Sequence, residues 1–122
     1  MTRLLNTADA EELTYSEQGA SLAEPLPSGF HHVDQEVIVG RGPDAFANAR
    51  TGLRTWRAHR IRGVRVFPPY LPPREGATIV VTLGTGLAAI AAPCRVVAVI
   101  DEPDRCGFAY GTLPGHPEQG EE

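Results

Sequence analysis

Arg95-Val96-Val97-Ala98-Val99-Ile100-Asp101-Glu102-Pro103-Asp104-Arg105-Cys106-Gly107-Phe108-Ala109-Tyr110-Gly111-Thr112 is the stretch on which the fold turns. Arg95 to Ile100 is a strongly apolar strand. Asp101-Glu102-Pro103-Asp104 then supplies the residue types of a tight turn. Arg105 to Thr112 returns as a second strand, so the two predict an antiparallel hairpin and hence an antiparallel sheet. In a hairpin over residues 94–111, Cys94 lies opposite Gly111 rather than Cys106. Two cysteines that do not face each other are too few for a disulfide framework or a zinc site, and both are expected as free thiols.

Upstream of the hairpin, Thr78 to Leu83 is a strand, Gly84-Thr85-Gly86 a turn, and Leu87 to Ala92 a second strand or a bend. Val64-Arg65-Val66-Phe67 is a short strand stopped by Pro68-Pro69. The clearest helix covers about residues 43–61. Pro43 suits a first helical position and Asp44 complements the positive end of the helix dipole. Phe46, Ala49, Leu53, Trp56 and Arg60 then fall three or four apart in one stripe, and Gly63 terminates the element. Phe30 to Val39 alternates as a strand would, with Val33, Gln35, Val37 and Val39 on one face and His32, Asp34, Glu36 and Ile38 on the other. Leu13-Thr14-Tyr15-Ser16 reads as a short edge strand and the rest of residues 1–29 as loop. The expected architecture is one α+β domain over residues 1–122, with a curved antiparallel sheet and one clear helix.

All eleven basic residues are Arg and none is Lys, in a chain of net charge −4. Seven of the arginines lie between Arg41 and Arg65 with a single acid, Asp44, while both flanking regions are acidic. This pattern fits internal charge complementarity or a solvated helix face. Arg50, Arg54 and Arg57 fall in one helical row that could meet phosphates, but an acidic pI without Lys argues against a nucleic-acid partner and against a membrane surface. No run of about 18 apolar residues occurs, and the first residues lack the apolar stretch of a secretory signal, so the sequence reads as cytoplasmic.

Three groups of residues carry the recognition of a family: Pro93-Cys94-Arg95-Val96-Val97 with Asp101-Glu102-Pro103-Asp104-Arg105; Gly107-Phe108-Ala109-Tyr110-Gly111-Thr112-Leu113-Pro114-Gly115-His116-Pro117-Glu118; and Gly120-Glu121-Glu122. With Gly29-Phe30-His31-His32, Gly40-Arg41-Gly42, and Leu53, Trp56, His59 and Arg60 before Gly63, they make the chain resemble uncharacterised protein family 0548, the DUF1990 domain family. The resemblance implies no activity that can be carried over. It implies a compact α+β protein of the helix-grip (START/Bet v 1-like) type, in which a curved sheet wraps a long helix around a ligand cavity. It also implies further strands and an Arg-rich helix after Glu122, relative to which residues 1–122 are C-terminally incomplete. A sheet lacking that helix would offer an open edge for self-association.

Candidate functional residues cluster near the end of the chain. Tyr110 and Thr112 share one strand face, and His116 and Glu118 follow in a loop stiffened by Pro114 and Pro117. A His titrates near neutral pH and could exchange protons with a bound molecule while Glu118, Glu121 or Glu122 orients it. The plain alternative is a solvent-exposed turn. His32 could face a cavity, although a hydrogen-bonded structural role is the plainer explanation; Trp56 could wall a pocket, with core packing the plainer explanation. His116-Pro117-Glu118 lacks the downstream Pro-Cys-x-x-Cys of a zinc deaminase. Gly84-Thr85-Gly86-Leu87-Ala88-Ala89 lacks the room for the crossover helix of a dinucleotide site. No cofactor and no metal is therefore expected. Three functions remain open: a binding protein for an apolar or amphipathic small molecule, an enzyme using His116 and a nearby Glu, or an interaction module docking through the Arg-rich helix.

Overall fold

The computed structural model describes residues 1–122 and places four strands in one antiparallel sheet, in the order β1 (Val64–Phe67), β2 (Thr78–Leu83), β3 (Ile90–Asp101), β4 (Cys106–Thr112). With two helices, α1 (Thr2–Asp9) and α2 (Pro43–Arg54), this is an α+β fold. The expected turn at Asp101–Asp104 closes the β3–β4 hairpin, the Glu102 N–H donating to the Arg105 carbonyl at 2.8 Å. Its register differs by one residue from the simple count: Cys94 lies opposite Thr112 and Arg95 opposite Gly111. The cause is a bulge between Val96 and Ala98, where Val97 is an extra residue on β3. Both Val96 and Val97 are buried at the bulge, and Val96 joins the Trp56 core.

Pro93 sits inside β3, an interior strand, and its place explains where the β3–β4 ladder ends. Its carbonyl accepts from the Leu113 N–H at 3.0 Å, so its nitrogen, which has no hydrogen to give, faces β4 too. The return hydrogen bond cannot form, and β4 stops at Thr112.

The sheet buries apolar side chains on both faces. On one, Val66, Ile79, Val81, Ala92, Cys94 and Val96 form the core with Trp56, flanked by Phe108 and Tyr110. On the other lies α1, whose Ala8 is buried. Arg95 ties that helix down: its guanidinium donates to the carbonyls of Ala8, Asp9 and Glu11, and to Thr78 Oγ1, which in turn donates to Asp9 Oδ1 at 2.7 Å. A cation at the carbonyls of a helix C-terminus is favourable twice, as a donor and as a charge. This helix was not expected in residues 1–29. Eight residues are too few to be stable alone, and its support comes from Arg95, far along the sequence.

The second helix is shorter than its pattern. It begins as expected, after Gly42 at φ +88° with Pro43 and Asp44 in its first turn, but ends at Arg54 instead of continuing to residue 61. Trp56 adopts φ +56°, the left-handed conformation that usually falls to glycine, and a single 3-10 turn, Arg57–His59, follows. That reversal takes the indole off the helical stripe and turns it into the sheet. Trp56 is only 2% exposed, and its Nε1–H donates to the Leu71 carbonyl at 2.7 Å.

Three further expectations change. Phe30 to Val39 forms no strand: the segment pairs with nothing, and Val33, Val37 and Val39 are 69%, 79% and 83% exposed. Alternation specifies a face and not a partner, and here no strand lies alongside. Leu13–Ser16 is likewise not a strand, although the Thr14 N–H does donate to the Thr112 carbonyl. Leu87 to Ala92 divides, with a 3-10 turn at Gly86–Ala88 and the start of β3 at Ile90. At the other end of the chain, Gly120 to Glu122 lies along the free edge of β4. Glu122 exchanges backbone hydrogen bonds with Tyr110 at 2.7 and 2.9 Å, and Glu121 bridges to Gly111.

Candidate functional site

Two features stand out on the Trp56 face of the sheet, and the geometry of α2 produces the first. No residue of α2 is fully buried. The helix is held at the hairpin turn by its arginines: Arg50 and Arg54 each take one oxygen of the Asp101 carboxylate, Arg54 at 3.0 Å, and Arg50 also donates to the Glu102 carbonyl. The Arg50 guanidinium lies over the Phe46 ring, 5.1 Å from its centroid, one helical turn back. Part of the Arg row is thus neutralised by the protein's own acid. Between α2, the Pro72–Arg74 segment and the hairpin remains a cleft of about 330 Å³. Leu53, Pro72, Val99 and Phe108 give it apolar walls; Arg50, Arg54 and Arg74 supply cations. A cleft of about 460 Å³ runs beside β1, but Ile61 and Tyr70 on its lining are 62% and 89% exposed, so it is closer to open surface.

The second feature is a polar relay. His59 Nε2 lies 3.0 Å from Tyr110 Oη, which donates to Glu122 Oε2 at 2.9 Å. Since the Tyr110 proton goes to Glu122, the hydroxyl accepts from His59 Nε2–H, and Nδ1 is left as the acceptor of a neutral ring. That Nδ1 is buried with no hydrogen-bond partner. Trp56 meets the His59 ring edge-on at 5.3 Å, and Phe108 stacks beside Tyr110. Burial lowers the His59 pKa below its ordinary value even though the Glu122 charge opposes it. Burial, and then Glu122, raises that of Tyr110. Burial, with the Glu122 charge adding to it, also pushes the Cys94 thiol up to about 12, so that thiol is not a nucleophile at neutral pH.

Because alternate residues of a paired segment face opposite ways, Glu121 turns to the other side of the sheet. There its carboxylate accepts from Tyr15 Oη (2.6 Å), the N–H groups of Gly19 (2.9 Å) and Ser21 (3.1 Å), and Ser21 Oγ. Burial resists its ionisation, but these donors outweigh burial and hold its pKa below the usual carboxylate value.

The residues singled out in the sequence are dispersed. Tyr110 sits in the relay and Trp56 packs against it. Thr112 shares the strand face with Tyr110, but its hydroxyl is taken by Thr14 Oγ1 and the Gly120 N–H. His116 Nδ1 accepts from the Glu118 N–H at 2.9 Å, and neither side chain hydrogen-bonds to Tyr110 or Thr112. His32, exposed in the unpaired segment, reaches the Pro27 carbonyl. His59 was the residue that sequence reasoning passed over as a site member, while Glu122, expected as one of three glutamates orienting His116, instead accepts from Tyr110. The one available signal for His59 was the pair Phe108 and Tyr110 alternating on one strand face.

A depressed His pKa gives a signed expectation. The folded protein resists protonating His59 while the unfolded chain takes the proton near the ordinary value of 6.5. Stability from this group is therefore present above pH 6.5 and lost as pH falls through the folded pKa. His59→Gln should flatten that part of a urea-midpoint profile as pH falls below 6.5. An unchanged slope would mean that His59 does not titrate differently in the two states.

The chain matches, over residues 14–122, the family described as a domain of unknown function, DUF1990. It is 34% identical over 120 residues to a UPF0548 protein of Deinococcus radiodurans, the match covering 89% of this chain and 60% of that protein. The chain thus spans less than two thirds of the length of this curated relative. No solved structure matches it.

Proposed function

We propose that this chain, which belongs to the DUF1990 family, binds a small apolar or amphipathic molecule in the cleft between α2 and the β3–β4 hairpin. The observation that carries the reading is the cleft itself: about 330 Å³, near the lower end of the range of about 300–1,000 Å³ usual for ligand sites, with apolar walls and a few charged groups. An amphipathic helix whose apolar stripe, Leu53 included, is only half-buried leaves part of that stripe available to a ligand.

Val99 offers the test. It lies opposite Phe108 on the cleft floor and is 41% exposed, so a larger strand-favouring side chain can be added without crowding the core. Mixed with a medium-chain alcohol, the native protein should give a one-to-one adduct in native mass spectrometry. Val99→Trp should lose it while keeping the native circular dichroism spectrum. An adduct undiminished in that variant would sink the reading.

A second reading, acid–base catalysis, is favoured by one observation: a neutral His59 whose buried Nδ1 is a free acceptor, beside Tyr110 and Glu122. Turnover lost in His59→Gln and kept in His116→Ala would support it. Turnover lost only in His116→Ala would move the chemistry to the loop of His116 and Glu118.

A further inference from the structure

The cleft is lined by three guanidinium groups, Arg50, Arg54 and Arg74, against one carboxylate, Asp101, an excess of two positive charges on a protein whose net charge is −4. A ligand that were merely apolar would leave that excess uncompensated in the wall of its own site. We infer that the ligand is an anionic amphiphile, with a carboxylate headgroup held by Arg54 and Arg74 and an apolar chain laid against Leu53, Val99 and Phe108. The inference rests on the proposed binding cleft and specifies its ligand.

Asp101 shows that the arrangement suits a carboxylate. Each of its oxygens is held by a different arginine, so two guanidiniums from adjacent turns of α2 already converge at the spacing of one carboxylate. The three arginines are not equivalent. Arg50 is committed, between the Phe46 ring, Asp101 and the Glu102 carbonyl. Arg54 gives one hydrogen bond to Asp101 and remains 57% exposed, with most of its five N–H donors free. Arg74 makes no ion pair and stands across the cleft on the Pro72–Arg74 segment. Two planar, weakly hydrated cations with spare donors suit a carboxylate better than an ammonium would. The apolar walls then set the body of the ligand, and the modest volume limits it to a chain of medium length.

Trp56, the single tryptophan, lies 4.8 Å from Phe108 at the cleft wall and gives an emission signal for titration. Octanoate, octanol and octylammonium share a chain and differ in headgroup. Octanoate should bind about tenfold more tightly than octanol, the size of one charge-assisted hydrogen bond, with octylammonium weakest. Arg54→Gln and Arg74→Gln should each weaken octanoate several-fold more than octanol, bringing the two closer together. Both arginines are exposed, so the fold should survive either change. Equal binding of octanoate and octanol would overturn the anionic headgroup while leaving the proposed cleft standing. Preference for octanoate that persists undiminished in both variants would overturn its placement. Binding of none of the three would overturn the cleft as well.

Discussion

Trp56→Ala is expected to cost about 3–5 kcal/mol, the range of large-to-small aromatic substitutions in a packed core. The indole is the largest side chain buried in the sheet's main core, touching Phe108, His59 and Tyr110 edge-on or tilted. Its loss leaves the Leu71 carbonyl without the Nε1–H donor, a further unfavourable term of about 1–3 kcal/mol if water does not reach it. The backbone adds to this. A bulky residue at φ +56° is held there against its preference, and the surrounding contacts maintain it. An alanine at the same φ keeps the strain and loses the contacts. For a domain whose total stability is roughly 5–15 kcal/mol, the variant should sit near the unfolding threshold at physiological temperature. Urea denaturation followed by far-UV circular dichroism reads the result. Trp56→Phe should recover part of the loss by refilling volume without restoring the hydrogen bond. A midpoint for Trp56→Ala equal to that of the native protein would mean that the indole does not organise the core.

The same residue marks the boundary of what could be read in advance. The hairpin from Arg95 to Thr112 was readable because both strands and their turn are local: a β-branched run, turn-forming acids around a proline, and a returning strand. The start of α2 was local too, in Gly42, Pro43 and Asp44. Its end was not. Trp56 falls at a helical position by spacing, and only burial against a sheet built from residues 64 to 112 makes the left-handed turn worthwhile. The segment from Phe30 to Val39 shows the converse, a proper two-residue alternation that meets no partner strand. The site divides in the same way. Tyr110 and Trp56 were visible as aromatic residues on periodic elements. The cleft and the relay join residues about fifty apart, Arg50 to Asp101 and His59 to Tyr110, and no local pattern contains such a pairing. His116 and Glu118 look like a site because they are close in sequence, yet the backbone uses the imidazole to fasten its own turn.

Gly111→Ala should destabilise the protein by about 3 kcal/mol, by a route that runs entirely through Tyr15. Gly111 does not need glycine for its φ; it needs glycine for space. A methyl group there would stand 1.8 Å from Tyr15 Oη, 2.5 Å from Cζ and 2.6 Å from Cε1, so the ring must leave. With it go a nearly buried aromatic surface, the edge contact with Phe30, and the hydrogen bond to Glu121. If the loss operates through Tyr15, the Tyr15→Ala/Gly111→Ala double variant should be no less stable than Tyr15→Ala alone, since the clash has then nothing to meet. Additive losses would show that the methyl group disturbs β4 itself. The acid limb of the stability profile gives an independent reading. Glu121 has its pKa lowered in the folded state, so its contribution is present above the ordinary carboxyl value of 4.5 and lost as pH falls through the folded value. Tyr15 is one of the donors that lower it. Without that donor the folded pKa moves back towards 4.5, and the window in which Glu121 stabilises the fold narrows from the acid side. The Gly111→Ala protein should therefore lose less stability than the native protein between pH 4.5 and the acid end of its folded range, because less was there to lose. Glu121 keeps its hydrogen bonds from Gly19 and Ser21, and Glu122 keeps its two backbone hydrogen bonds to Tyr110, so the Tyr110–Glu122 relay on the opposite face should survive Gly111→Ala.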